Sequence, residues 1–166
     1  MDFIHYGLGR WIHIGAGVMW IGLLYYFNFV QVQAMKAAQA DNTAAGIGKH
    51  VAPRALLYFR WAAVVTWVAG ATLLGSHFHE AFFFLVKTYV PIGVGAWLGT
   101  IMLFNVWVLI WPNQKKILGI VAATDDEKAR ARRVAFLASR TNTMLSMPML
   151  FFMSSSYLMH SRSMFG

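Results

Sequence analysis

The amino-acid sequence predicts an all-α integral membrane protein, a bundle of four transmembrane helices. Of its 166 residues, 58% are hydrophobic and 12% are charged, and the mean hydropathy is +0.53. A typical soluble domain carries about 25% charged residues. The sequence also contains four apolar stretches long enough to cross a bilayer, which takes about 20 residues in a helix. We therefore expect a single membrane domain that comprises residues 1–166.

The predicted spans cover residues 8–32, 55–74, 82–111 and 134–158. The N-terminus has no basic region and no small-residue cleavage site, so we expect the first span to be retained. Pro91 is expected to break or kink the start of the third span, and Pro148 to kink the fourth. Residues 36–54 are predicted to form a polar loop. Thr124 and Glu127 have the spacing of a capping box, which predicts a helix start before the fourth span.

The distribution of Lys and Arg predicts the orientation, because short loops rich in these residues stay in the cytoplasm. Residues 75–81, between the second and third spans, carry none. The loops on either side carry Lys36, Lys49, Arg54, Lys115, Lys116, Lys128, Arg130, Arg132 and Arg133. Both termini are therefore predicted to face the periplasm from a bacterial inner membrane. We attribute the net charge of +8 to this topology and to anionic lipid, and not to nucleic acid.

Five of the six histidines are predicted to gather at the periplasmic face: His5, His13, His77, His79 and His160. His13 lies inside the first span, where an ionisable side chain is costly and usually functional. Gly17, one helical turn further on, leaves room for a neighbouring helix or a flat ligand. Histidine is a common ligand of haem iron, copper and zinc. The absence of cysteine excludes thiolate metal sites and covalently attached c-type haem.

Three hypotheses for this face stay open. A b-type haem would take His13 as one axial ligand and His77, His79 or His160 as the other. Copper or another metal is the second hypothesis, since His77 and His79 offer two imidazoles at close range. In the third, no cofactor binds, and the histidines form hydrogen bonds with lipid headgroups or water.

Another group of polar side chains is predicted at the cytoplasmic end of the bundle: Arg60, Asn105, Asn113, Arg140, Thr141 and Asn142. Arg60 and Arg140 could bind an anion, such as a haem propionate, a phospholipid headgroup or an acidic substrate. We favour the alternative that they snorkel and cap neighbouring helix ends.

Small residues at helical spacing predict two faces for helix contact, within the bundle or toward a partner chain. One face comprises Gly95 and Gly99 on the third span, and the other comprises Ala62, Thr66 and Gly70 on the second. The sequence contains no phosphate-binding glycine loop, nucleophile elbow or paired carboxylates within a span, so hydrolase chemistry is not indicated.

Four motifs, in order along the predicted spans, resemble a known family. They are Arg10-Trp11-Ile12-His13 with Trp20-Ile21-Gly22 and Tyr25-Tyr26-Phe27; Arg60-Trp61-Ala62 with Thr66-Trp67-Val68-Ala69-Gly70; Gly99-Thr100-Ile101-Met102 with Asn105 and Trp111-Pro112-Asn113; and Ser139-Arg140-Thr141-Asn142 with Met147-Pro148-Met149. Together they resemble the membrane domain of bacterial membrane-bound urate hydroxylases, the urate oxidase N-terminal family. The longer members of this family have additional helices and end in a cytochrome c domain that accepts electrons. We expect this chain to be a short form without that domain.

The resemblance implies a site that includes His13, Arg60, Asn105, Asn113 and Arg140, which occupy motif positions. We expect a small subunit or partner of a larger redox complex, which transfers electrons or has no catalytic role of its own. It would hold a b-type haem or a metal near the periplasmic face and contact other membrane subunits. One alternative is a structural subunit without a cofactor. Another is a stand-alone membrane oxidase or hydroxylase that acts on urate or a related purine.

Overall fold

The computed structural model describes residues 3–162, and the side chains of residues 6–155. It is all-helical, as predicted. The α-helices are α1 (Phe3–Tyr25), α2 (Val32–Ala40), α3 (Ala44–Gly46), α4 (Ala52–Leu74), α5 (Phe78–Phe82), α6 (Val90–Phe104), α7 (Trp111–Ile117) and α8 (Asp125–Arg162).

Short π-helical and 3-10 segments join several of these α-helices end to end. Three π-helical segments connect α1 to α2, α3 to α4 and α6 to α7: Tyr26–Gln31, Ile47–Val51 and Asn105–Ile110. A 3-10 turn at Gly75–His77 connects α4 to α5, and another at Lys87–Tyr89 precedes α6. The chain therefore forms four long helices, which are α1–α2, α3–α5, α6–α7 and α8.

Three of the described helices are long and apolar enough to cross a membrane: Tyr6–Ala40, Ala44–Phe82 and Lys87–Ile117. These candidate spans make the chain a multi-pass membrane protein. The fourth long helix, α8, has 38 residues but is not among them. The polar residues 139–142 interrupt its apolar stretch and lower its hydropathy. That α8 crosses the membrane, and which way the bundle faces, remain predictions.

The predicted polar loop at residues 36–54 is mostly helical, which corrects that expectation. Helix α2 continues to Ala40 and the next helix begins at Ala44, so only residues 41–43 form the turn. Alanine and glutamine dominate the end of α2, and both are good helix formers. Asn42 has a φ of 59°, a left-handed conformation that a short polar side chain tolerates. Both helices therefore extend beyond the predicted spans.

The third span starts later than predicted. Residues 83–86 follow α5 without helical structure, and Phe84 has a φ of 57°, so a helix cannot continue through it. Helix α6 begins at Val90, with Pro91 in its first turn, where the missing N–H costs least. Pro148 lies inside α8, which continues through it.

The four long helices associate chiefly as two pairs, α1 with α4 and α6 with α8. The predicted small-residue faces lie within these pairs. A methyl group built on Gly95 would lie 3.2 Å from Met153 of α8, and Thr66 and Gly70 face α1. The apolar core between the helices includes Trp20, Leu24, Phe59, Met102 and Val106, all of them at most 2% exposed.

Candidate functional site

His13 on α1 lies directly against α4. Its Nδ1 is 2.8 Å from the backbone carbonyl oxygen of Thr66, and its side chain is half-buried. Because a carbonyl oxygen can only accept a hydrogen bond, Nδ1 must carry the proton. In the neutral imidazole the lone pair then lies on Nε2, which is free to bind a metal or accept a hydrogen bond.

Gly70 makes this close approach of the imidazole to α4 possible. A methyl group built on Gly70 would lie 2.8 Å from Cε1 and 3.0 Å from Nδ1 of His13, closer than real side chains come. Gly70 was predicted as a helix-contact residue, but the sequence did not connect it with His13. The four-residue spacing of the small residues Thr66 and Gly70 was the only feature of the sequence that indicated this face of α4.

Gly17 packs against α4 in the same helix pair. A methyl group built on Gly17 would lie 3.6 Å from Cγ2 of Thr66, which is ordinary van der Waals contact. The space beside Gly17 is therefore occupied by the methyl group of Thr66. A flat ligand at Gly17 would have to displace part of the α1–α4 contact.

The two histidines of the predicted outer loop have partners of their own. His77 Nδ1 lies 2.9 Å from Oε2 of Glu80, and its ring stacks on Tyr89 with centroids 4.9 Å apart. His79 packs against Phe83, with ring centroids 4.7 Å apart. Among the described residues, no group of three or more His, Asp or Glu side chains could hold a metal ion. The structure thus does not combine His13, His77 and His79 into a three-ligand site, and the side chain of His160 lies outside the described residues.

At the other end of the bundle, the predicted amide residues join α6–α7 to α8. Asn105 Nδ2 donates to Oδ1 of Asn142 at 2.8 Å, and Asn142 Nδ2 donates to the carbonyl oxygen of Met102 at 2.9 Å. Asn105 is 8% exposed and Asn142 is fully buried. Asn113 instead donates to the carbonyl oxygen of Leu109 in its own helix, at 2.7 Å.

The two predicted arginines each lie over an aromatic ring. The guanidinium carbon of Arg60 lies 3.7 Å from the ring centroid of Trp111, which joins α4 to α7 by a cation–π contact. Arg140 is exposed, and its guanidinium carbon lies 5.1 Å from the ring centroid of Phe136 in α8. The two side chains thus have different neighbours in the described structure.

Residues 87–164 match the family model described as Urate oxidase N-terminal. This segment is similar to the urate oxidase N-terminal domain. It contains Asn105, Asn113 and Arg140, whereas His13 and Arg60 precede it. The family resemblance inferred from the sequence is therefore confirmed over α6, α7 and α8. No curated protein and no solved structure matches the chain.

The segment at residues 87–164 also makes polar contacts to the first long helix that sequence reasoning missed. Asn28 Nδ2 donates to Oγ of Ser139 at 2.8 Å, and the hydroxyl groups of Tyr25 and Ser146 lie 3.0 Å apart. A buried polar group in a membrane helix requires a hydrogen-bond partner. The presence of Asn28 in an apolar helix could therefore have predicted a contact with a polar residue of a neighbouring helix. These contacts join the two helix pairs into one bundle.

Proposed function

We propose that the chain is a small membrane subunit of a redox complex that binds one b-type haem through His13. The observation that supports this most is the hydrogen bond from His13 Nδ1 to the carbonyl oxygen of Thr66. Histidine ligands usually donate their second ring nitrogen in this way, which fixes the ring orientation and raises ligand basicity. The haem would supply one-electron transfer near one face of the membrane.

The surroundings of His13 fit one axial position of such a haem. Gly70 and Thr66 hold the imidazole against α4, so the ligand is oriented before any haem binds. His77 donates Nδ1 to Glu80 in the same way and keeps Nε2 available, so His77 stays a candidate for the second ligand, together with His79 and His160.

The same proposal takes α8 as a fourth span and places both termini in the periplasm. The packing of α8 along α6 supports the fourth span, since two antiparallel neighbours would both cross the bilayer. The Lys and Arg residues near the turns at residues 41–43 and 118–124 support the orientation. His13 would then lie on the periplasmic side.

A structural subunit that binds no cofactor is the second candidate. The contact between Gly17 and the methyl group of Thr66 favours it, because this packing leaves no space for a flat ring at that point. In this case the His13–Thr66 hydrogen bond would serve only to fix α1 on α4.

A reduced-minus-oxidised absorption spectrum of the detergent-purified protein tests the proposal. We expect a b-type band that corresponds to one haem per chain and is lost in His13→Ala. His50→Ala, an exposed histidine at the opposite end of the bundle, is the matched control and should keep the band. Native gel electrophoresis of solubilised membranes should show the chain in a complex larger than its 18.7 kDa. Haem-free wild-type protein would leave the structural subunit as the function. An unchanged band in His13→Ala would show that another residue binds the haem and would overturn the role of His13.

A further inference from the structure

A cavity of about 890 Å³ lies where all four long helices meet. Its lining begins at Phe27 and includes Gln31, which is about 27 Å along the first helix from His13, at 1.5 Å per residue. It therefore belongs to the opposite end of the bundle, which is predicted to be cytoplasmic. The wall inside the bundle is apolar and includes Phe27, Leu56, Phe59 and Ile110.

The rim of this cavity is basic. Lys36 from α2, Lys49 from the second π-helical segment, and Arg132 and Arg133 from α8 all line it, and all four are exposed. None of the described lining residues is acidic. Within the described residues, none of these four side chains forms a salt bridge. Four positive charges thus surround one opening, and none of the described lining residues supplies a negative charge to balance them.

Gln31 presents an acceptor that has no partner within the described structure. Its Oε1 is buried, forms no hydrogen bond and belongs to a residue that lines the cavity. A buried polar atom without a partner is unfavourable. Because Oε1 is also inaccessible to solvent, the Gln31 side chain would have to rotate toward the cavity, where a hydroxyl donor would then satisfy it.

We propose that this cavity binds an acidic phospholipid with a hydroxylated headgroup, such as a phosphatidylglycerol. The phosphate would lie among Lys36, Lys49, Arg132 and Arg133, a headgroup hydroxyl would donate to Gln31, and an acyl chain would lie along the apolar wall. A soluble anion would gain nothing from that wall, and a neutral lipid would gain nothing from the rim. The predicted cytoplasmic leaflet, where acidic lipids attract basic segments, supplies the ligand. This site is independent of the haem proposal.

Native mass spectrometry of the delipidated full chain tests this assignment, with phosphatidylglycerol, phosphatidylcholine of identical acyl chains, and inorganic phosphate as probes. We expect saturable binding of one phosphatidylglycerol and much weaker binding of phosphatidylcholine. Arg132→Gln/Arg133→Gln and Lys36→Gln/Lys49→Gln should each weaken phosphatidylglycerol binding about tenfold or more, since each removes two charges beside the phosphate. Inorganic phosphate in large excess should not displace the lipid.

Lys128→Gln/Arg130→Gln is the matched control, because it removes the same charge from the first turns of α8 at residues that do not line the cavity. It should change lipid binding by less than about twofold. Circular dichroism and size-exclusion chromatography establish that each variant is folded before its binding is compared. Equal binding of the two lipids, equal weakening in all three double variants, or displacement by inorganic phosphate would each overturn the assignment.

Discussion

At the scale of single residues, Gly70 determines how closely His13 can lie against α4. In Gly70→Ala the added methyl group would lie 2.8 Å from Cε1 of His13, so the imidazole must move and lose its hydrogen bond to Thr66. We expect this variant to be destabilised by about 1–3 kcal/mol, the usual cost of overpacking. Thermal unfolding in detergent, followed by circular dichroism, measures the change.

Gly15→Ala is the control for this substitution. Gly15 lies on α1, and a methyl group built there has no atom within 4 Å. Alanine is the better helix former, so this variant should be as stable as the wild type or slightly more stable. Equal stability of Gly70→Ala and Gly15→Ala would show that the imidazole does not lie where the structure places it.

The sequence predicted the members of this site but not their pairing. An ionisable His13 inside an apolar span and the small residues Thr66 and Gly70 were each recognisable from residue type and spacing. Which faces of two helices meet depends on their rotation and crossing angle, and no local pattern specifies these. For the same reason, the hydrogen bond between Asn105 and Asn142 could not be predicted, although both residues were placed in the same polar group.

At the scale of secondary-structure elements, the capping box predicted at the start of α8 is confirmed. The backbone N–H of Thr124 donates to Oε2 of Glu127 at 2.9 Å, and the backbone N–H of Glu127 donates to Oγ1 of Thr124 at 3.3 Å. The Thr124 hydrogen bond, assisted by the charge of Lys116, lowers the pKa of Glu127 below its ordinary value of 4.5.

This shift of the Glu127 pKa predicts how the stability of α8 depends on pH. A carboxyl group whose pKa is lower in the folded state stabilises that state above its ordinary pKa, and the stabilisation is lost as pH falls through the folded value. The melting temperature of the wild type should therefore exceed that of Glu127→Gln at neutral pH, and the difference should shrink below pH 4.5.

Thr124→Ala should weaken this pH dependence without abolishing it, because alanine loses the capping hydroxyl but keeps the backbone N–H that donates to the Glu127 carboxylate. We expect the loss of the N-cap hydroxyl to lower the free energy of unfolding by about 0.5–2 kcal/mol. Melting curves of the three proteins between about pH 3 and pH 7 bracket the ordinary pKa of Glu. A difference between wild type and Glu127→Gln that stays constant over this range would contradict the account.

The ends of helices were predictable only where a particular residue, such as proline or an N-cap residue, starts or stops a helix. Pro91 marks the start of α6 and Thr124 precedes α8, since each residue acts through its own backbone or side-chain chemistry. The predicted loop at residues 36–54 was wrong because polarity was taken to indicate irregular structure. Lys36 and Lys49 lie instead on helical extensions, and this is what brings them to the rim of the cavity.

At the scale of the whole molecule, the two proposed sites lie at opposite ends of one helical bundle. His13 lies at the end where the connection between α5 and α6 carries one basic residue, Lys87, and the cavity with its basic rim lies at the other end. Apolar length and composition were sufficient to predict the helical membrane architecture. The cavity was not predictable, because residues from all four long helices line it and no single segment encodes their relative arrangement.

The orientation of the four helices connects both proposals, and cysteine accessibility tests it most directly. The chain contains no cysteine, so each introduced thiol is unique. Thr43→Cys and Ala122→Cys occupy exposed positions between the long helices, and Ser76→Cys lies in the exposed 3-10 turn between α4 and α5. Gly166→Cys marks the C-terminus. The measurement is labelling with a membrane-impermeant maleimide, in intact spheroplasts and after permeabilisation.

The account predicts that Ser76→Cys and Gly166→Cys are labelled in intact spheroplasts, and that Thr43→Cys and Ala122→Cys are labelled only after permeabilisation. Labelling of Gly166→Cys only after permeabilisation would show that α8 does not cross the membrane. The reverse pattern at all four positions would place His13 at the cytoplasmic face and the basic cavity outside, and would contradict the account as a whole.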